Sequence, residues 1–293
     1  MAMGGTTDVS AASAAEAVST GNRKEFDMST SETFQIPLEA AEVYEARFVP
    51  AIFAEWAPLL ADAAGVSPGQ AVLDVACGTG IVARTVADRL GTDGVVVGVD
   101  LNEAMLTVAR RVRPDLEWQQ ADVSELPFPD RAFDAVLCQM ALMFFPDRAR
   151  AVAEMARVTA TDGTVALVVP AAIEDQPAYQ RFVDIAAEEA GAAASVLDSY
   201  WSCGDPDELR TLVESAGLRV TTTRSHLGTA KFGSADELVA TEVEGSPLIS
   251  RISDDVYQRI KERARAALAP FQAADGSLPA PLRGHIVTAV RPG

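Results

Sequence analysis

From residue 71 onward the chain alternates short β-branched runs with longer stretches of helical periodicity, the pattern of a parallel sheet wrapped by helices. The runs Ala71–Ala76, Gly94–Asp100, Leu116–Ala121, Phe133–Cys138, Thr164–Val169, Leu218–His226 and His285–Val290 read as seven strands, the last of them antiparallel. The expected fold class is therefore α/β, a doubly wound, seven-stranded, mostly parallel sheet. Helix ends fall between the strands: Asn102 can cap the helix through Met105, and Asp205-Pro206-Asp207-Glu208 places a cap, a first-turn proline and an N3 glutamate in order.

Three segments exceed what the strand connections need. Residues 38–64 read as an N-terminal helical cap carrying Tyr44, Phe48, Phe53 and Trp56, and residues 170–204 and 231–283 read as helical lid insertions. Residues 1–30, rich in Ala, Ser, Thr and Gly, read as a disordered N-terminal tail, which leaves 31–293 as a single domain.

Composition narrows the function. No apolar run is long enough to span a bilayer, so a soluble protein without a membrane partner is expected. A net charge of −18 repels a phosphate backbone, which speaks against a nucleic-acid partner. Three cysteines without a C-x-x-C pair, and two histidines, suggest neither a disulfide framework nor a metal site and suit a reducing cytoplasm. A small-molecule substrate and a monomer or homodimer remain as expectations.

The first strand runs straight into Cys77-Gly78-Thr79-Gly80 and a helix, so the chain turns sharply where a ligand can approach bare backbone. Gly78-Thr-Gly80-Ile-Val-Ala83 matches the dinucleotide fingerprint G-x-G-x-x-A, and Asp100 follows Gly78 by 22 residues, about where a ribose-binding acid belongs. That pattern alone fits a nicotinamide-dependent oxidoreductase as well. Asp74 discriminates, because a carboxylate at the end of the strand would repel a pyrophosphate at the turn. S-adenosylmethionine (SAM) carries an ammonium and a sulfonium instead, and both are favoured beside an acid.

Val72-Leu-Asp-Val-Ala-Cys-Gly-Thr-Gly80, Val97-Gly-Val-Asp-Leu-Asn-Glu-Ala-Met-Leu106 and Gln120-Ala-Asp-Val-Ser-Glu-Leu-Pro-Phe128 resemble class I SAM-dependent methyltransferases, in the branch of the ubiquinone and menaquinone methyltransferases. The resemblance implies a Rossmann-like methyltransferase fold. It also implies that Asp74, Ala76, Cys77, Gly78 and Gly80 lie at the amino-acid part of SAM, Asp100 at the ribose, and Leu101 and Met105 on the adenine faces. Asp122 and Val123 would meet the adenine edge, and Gln139 and Tyr44 join the expected cofactor set. Ala76 departs from the family pattern, which usually shows glycine there. Outside the shared core, Tyr44-Glu-Ala-Arg-Phe-Val-Pro50 does not look like a dedicated quinone-biosynthesis enzyme.

The sulfonium already activates the methyl group, so few catalytic residues are required. His226 and His285 are the candidate bases, both expected near the carboxyl edge of the sheet, where ligands bind. Met140, Met143, Phe144, Tyr200 and Trp201 are the expected substrate wall, which suggests a hydrophobic or aromatic acceptor. The expected reaction is in-line methyl transfer to a small molecule, with O-methylation favoured over C- or N-methylation and no metal. The alternatives are a SAM-binding protein without transferase activity and a quinone C-methyltransferase.

Overall fold

The computed structural model describes residues 36–293, all within one compact unit, and the tail expected over residues 1–30 lies outside them. Seven strands form one sheet: β1 (Ala71–Val75), β2 (Val95–Asp100), β3 (Glu117–Gln120), β4 (Phe133–Gln139), β5 (Thr159–Pro170), β6 (Arg219–Phe232) and β7 (Leu278–Val290). Their spatial order is β3-β2-β1-β4-β5-β7-β6, and only β7 runs against its neighbours. The doubly wound, mostly parallel sheet read from the sequence is the fold. Val72 to Val75 are buried without alternation because β1 sits at the centre of the sheet with both faces covered.

Among the described residues ten α-helices accompany the sheet: α1 (Leu38–Val43), α2 (Val49–Ala51), α3 (Trp56–Ala63), α4 (Ile81–Leu90), α5 (Glu103–Val112), α6 (Arg148–Val158), α7 (Pro177–Ala190), α8 (Pro206–Ser215), α9 (Ala235–Glu244) and α10 (Asp254–Leu268). Asn102 caps α5 by accepting from the Ala104 amide, and Asp205 caps α8 by accepting from Asp207 and Glu208. Segment 170–204 holds α7 followed by a 3-10 stretch, Gly191–Trp201.

Strands β6 and β7 are longer than the hydrophobic pattern indicates. Strand β6 runs six residues past His226, to Phe232, and β7 begins at Leu278 rather than His285, so the helices α9 and α10 occupy a shorter insertion than 231–283. Two physical reasons hid this. Strand β6 is an edge strand with one face in water, so its sequence is mostly polar. Pro279 and Pro281 argue against a strand, but they lie beyond the point where β5 ends opposite Gly284, on a stretch of β7 that pairs with β6 alone.

The N-terminal segment is seated on this hairpin through Trp56, which is fully buried. A Cβ at Gly228 would come within 3.0 Å of its ring and one at Gly284 within 2.7 Å, so glycine at both positions lets the indole lie directly on the strands. This fixes the segment Tyr44–Phe53 above the carboxyl ends of the central strands.

Candidate functional site

Strand order reverses between β1 and β4, and the crevice at the carboxyl ends of strands at such a switch point is where open α/β sheets bind ligands. A cavity opens there. Its walls include Ala76 and Gly78 after β1, Asp100, Leu101 and Asn102 after β2, Met105 of α5, Asp122 and Val123 after β3, and Gln139 at the end of β4. Tyr44, Phe48 and Phe53 close it from the N-terminal segment as a stacked group with ring centroids 5.3–6.3 Å apart. Met140, Met143, Phe144, Tyr200 and Trp201 line the remaining wall.

The geometry around Asp100 is built from backbone. Its Oδ2 accepts the Gly78 amide at 2.8 Å and its Oδ1 accepts the Asn102 amide at 2.8 Å, which ties the β1 loop to the start of α5. Burial raises its pKa, and the surrounding amides oppose that rise. Each carboxylate oxygen keeps acceptor capacity on the cavity side, enough for a cis-diol. Asp122 uses one oxygen, Oδ1, to accept from the amide and hydroxyl of Ser124. The amide of Gln139 donates to the Phe53 carbonyl at 3.1 Å, while its Oε1 has no partner.

Two of the four left-handed non-glycine residues among those described lie at the same place. Ala76 holds φ +52° and Met140 φ +48°, both left-handed and both on the cavity wall. A non-glycine residue there costs roughly 1–3 kcal/mol and persists only where surrounding structure imposes it. The glycine that the resemblance predicts at 76 would relieve the strain that Ala76 carries.

Three expected cofactor residues do not line the cavity. Asp74 is buried beneath it, where Oδ2 accepts the Ala83 amide in the first turn of α4 at 2.9 Å. Burial, opposed by that hydrogen bond, pushes its pKa up to about 8. Asp74 thus occupies an amide at the helix N-terminus that a pyrophosphate would otherwise use, rather than confronting the ligand. Cys77 is buried and held by its amide to Val99. Gly80 answers to packing: a Cβ there would stand 2.2 Å from the Trp118 ring.

Both histidines also lie off the cavity wall, against the expectation that either faces the acceptor. His226 pairs with Gly284 in the ladder, on the face covered by Trp56, and stacks edge-on to that indole at 5.3 Å. His285 follows Gly284 and so points to the opposite face, where it is buried between the Ser225 hydroxyl at Nδ1 and the Gly204 carbonyl at Nε2. Strand alternation therefore sends the two imidazoles to opposite sides of the sheet.

Two polar residues that sequence reasoning passed over do line the cavity: Tyr179 of α7 and Glu242 of α9. Both are buried. A signal was present for Glu242, since Ala235, Leu238 and Val239 form the buried face of α9 and residue 242 falls on that same face. Burial pushes its pKa up to about 7, with the nearby Tyr179 hydroxyl acting in the other direction. Asp100, Asp122 and Glu242 are the acidic side chains of the lining, and no Lys, Arg or His is among its residues.

The comparisons with known proteins follow this division. A family model described as a methyltransferase domain matches residues 73–167. A demethylmenaquinone methyltransferase of Renibacterium salmoninarum is 44% identical over 37% of this chain, which spans 44% of that relative, less than half its length. A ubiquinone/menaquinone biosynthesis C-methyltransferase of Burkholderia cenocepacia is 33% identical over 56% of this chain and 73% of its own. The chain belongs to the class I SAM-dependent methyltransferases, in the ubiquinone/menaquinone branch. Among solved structures, a phosphoethanolamine N-methyltransferase of Haemonchus contortus in complex with SAM shares the fold, with TM-score 0.57 and 17% identity over 88% of this methyltransferase and 58% of that chain. The segment matched by the family model supplies Ala76, Gly78, Asp100, Leu101, Met105, Asp122, Val123 and Gln139. Tyr44, Tyr179, Tyr200, Trp201 and Glu242 lie outside it, whereas Met140, Met143 and Phe144 of the remaining wall fall within it.

Proposed function

We propose that this enzyme transfers the methyl group of SAM to a small hydrophobic or aromatic acceptor, with O-methylation favoured. The single observation that carries the reading is the charge of the cavity: three carboxylates and no cation among its lining residues, with aromatic side chains at one end. A cationic nucleotide is stabilised in such a space, and a dinucleotide with two phosphates is destabilised. Asp100 would hold the ribose hydroxyls, Leu101 and Met105 the adenine faces, and Asp122 the adenine edge, while the Ala76–Gly78 backbone and Gln139 would border the amino-acid part. When bound, SAM supplies a methyl group already activated by its sulfonium. The chain's own work is to orient the acceptor in line and exclude water, through Phe144, Tyr200 and Trp201. Tyr44 closes over Gly78, where a Cβ would stand 3.5 Å from its hydroxyl.

A second reading, a quinone C-methyltransferase, has the printed names of the curated relatives in its favour. Isotope-labelled SAM offered with simple phenols, hydroquinones, amines and hydrophobic acids, followed by mass spectrometry and NMR of the product, tests both. A methyl ether supports the first reading and a ring-methylated hydroquinone the second. No transfer to any acceptor leaves a SAM-binding protein without transferase activity.

A further inference from the structure

The acceptor end of the cavity holds a carboxylate that the reading above does not use. Glu242 is 4% exposed, reaches the cavity wall from α9, and makes no ion pair among the described residues. A carboxylate taken out of water without a cation is costly unless the group takes up a proton or meets a proton donor. The titratable groups that act on it are Tyr179 from α7 and Tyr200 from the stretch after α7. Among the cations of the packed elements, Arg265 pairs with Asp236, Arg259 and Arg263 with Glu188 and Glu189, Arg47 with Glu244 and Lys231 with Glu55, and Lys261 lies over the Tyr257 ring. Tyr257 donates to Glu244, not to Glu242.

The cavity wall also carries polar groups with unmet capacity. Trp201 Nε1 and Gln139 Oε1 are buried without a hydrogen-bond partner, the Tyr179 hydroxyl faces Glu242, and all three residues line the same cavity. Buried polar groups are seldom left so, and their concentration here marks a place where a polar ligand group completes the set.

We propose that Glu242 is the general base of the transfer and that the acceptor group is a neutral, phenol-like hydroxyl. The proposal rests on the methyltransferase reading and specifies its substrate class. In the step, a Glu242 oxygen takes the hydroxyl proton while an electron pair of the acceptor oxygen forms the bond to the methyl carbon. The S–CH3 bond breaks with its pair left on sulfur, so the products are a methyl ether, S-adenosylhomocysteine and protonated Glu242, which returns its proton to solvent.

The chemistry selects among acceptors. A carboxylate would be repelled by Glu242. An amine would enter as its ammonium and pair with Glu242, and the stronger that pair, the less free the nitrogen lone pair. A phenol is neutral on entry, suits the apolar walls, and gains nucleophilicity as its proton moves toward Glu242. Because burial lifts Glu242 to about 7, the base is poised between holding and releasing a proton near neutrality.

Three measurements on the full chain test this, comparing the native protein with Glu242→Gln and Glu242→Asp. S-adenosylhomocysteine should bind all three with affinities within about threefold, which also shows that the variants fold. A phenol that the native enzyme methylates should bind the native S-adenosylhomocysteine complex about tenfold more tightly than the Glu242→Gln complex, as expected for losing a charged acceptor. Turnover of that phenol should fall roughly 10²–10⁴-fold in Glu242→Gln, with partial recovery in Glu242→Asp, and the native rate should rise with pH through about 7 along a limb that Glu242→Gln lacks. The proposal is overturned if Glu242→Gln turns over phenols at the native rate, or if amines or carboxylic acids alone are methylated. Binding of S-adenosylhomocysteine without methylation of any phenol overturns it while the cofactor site stands. Failure of the native protein to bind S-adenosylhomocysteine removes the methyltransferase reading itself.

Discussion

The amide of Gly78 donates to Oδ2 of Asp100 across 2.8 Å, joining the loop after β1 to the end of β2 and fixing the carboxylate on the cavity wall. One residue thus sets both the loop and the ligand-facing acceptor. Replacing Asp100 with Ala is expected to weaken S-adenosylhomocysteine binding by about 1–3 kcal/mol, with Asp100→Asn intermediate. Calorimetric titration checks this, and unchanged affinity in Asp100→Ala would remove Asp100 from the site.

Ala76 and Ala87 give opposite responses to glycine. Ala87 lies inside α4, so Ala87→Gly should cost about 0.5–1 kcal/mol. Ala76 holds φ +52°, so Ala76→Gly relieves left-handed strain and should leave stability equal or higher by up to about 1 kcal/mol, once the greater freedom of the unfolded chain is subtracted. Denaturant melts of the two variants provide the comparison.

Gly80→Ala should be strongly destabilising, by about 2 kcal/mol or more, because the new methyl would stand 2.2 Å from the Trp118 ring at a position with φ +90°. Adding Trp118→Leu should restore part of the loss. A motif glycine whose effect passes through an indole is not a ligand contact, and a double-mutant cycle by thermal denaturation separates the two cases.

These positions show how much of the molecule was legible in its sequence. The β1 loop, Asp100 and Asp122 are local patterns, in which the residues that make the turn also line the cavity. Asp74 and Gly80 were visible as motif members, yet their work is to hold α4 and Trp118 beneath the site, which spacing does not reveal. Glu242 was hidden because glutamate on a helix ordinarily faces water, whereas α9 turns residue 242 inward together with Leu238 and Val239. The histidines stand level with the carboxyl end of β5, and it is their packing on opposite faces of the sheet, not their position along the strands, that keeps both rings off the cavity wall.

His226→Gln should change turnover less than about twofold, because its ring lies on Trp56 away from the cavity, and a base would be worth roughly 10²–10⁴-fold. His285→Ala should instead lower stability by about 1–3 kcal/mol by leaving the buried Gly204 carbonyl unpaired. Initial rates for the first variant and melting curves for the second distinguish these roles.

Asp74 gives the apo protein a pH dependence of definite sign. Burial raises its pKa from the ordinary 3.8 to about 8, so between those values the folded chain binds more protons than the unfolded one. Its contribution to stability is therefore present at the acid end of that window and lost as pH rises through it. Glu242, raised to about 7, acts in the same direction. The melting temperature of the apo protein should fall from about pH 5 to about pH 9, and Asp74→Asn should flatten the decline. An equal decline in the variant would assign it to other groups.

Parallel calorimetric titrations of the protein with S-adenosylhomocysteine and with NAD test the central claim most directly, since the cavity offers three carboxylates and no cationic side chain among its lining residues. One S-adenosylhomocysteine should bind per chain, with no measurable heat from NAD. Binding of NAD, or of neither ligand, would contradict it.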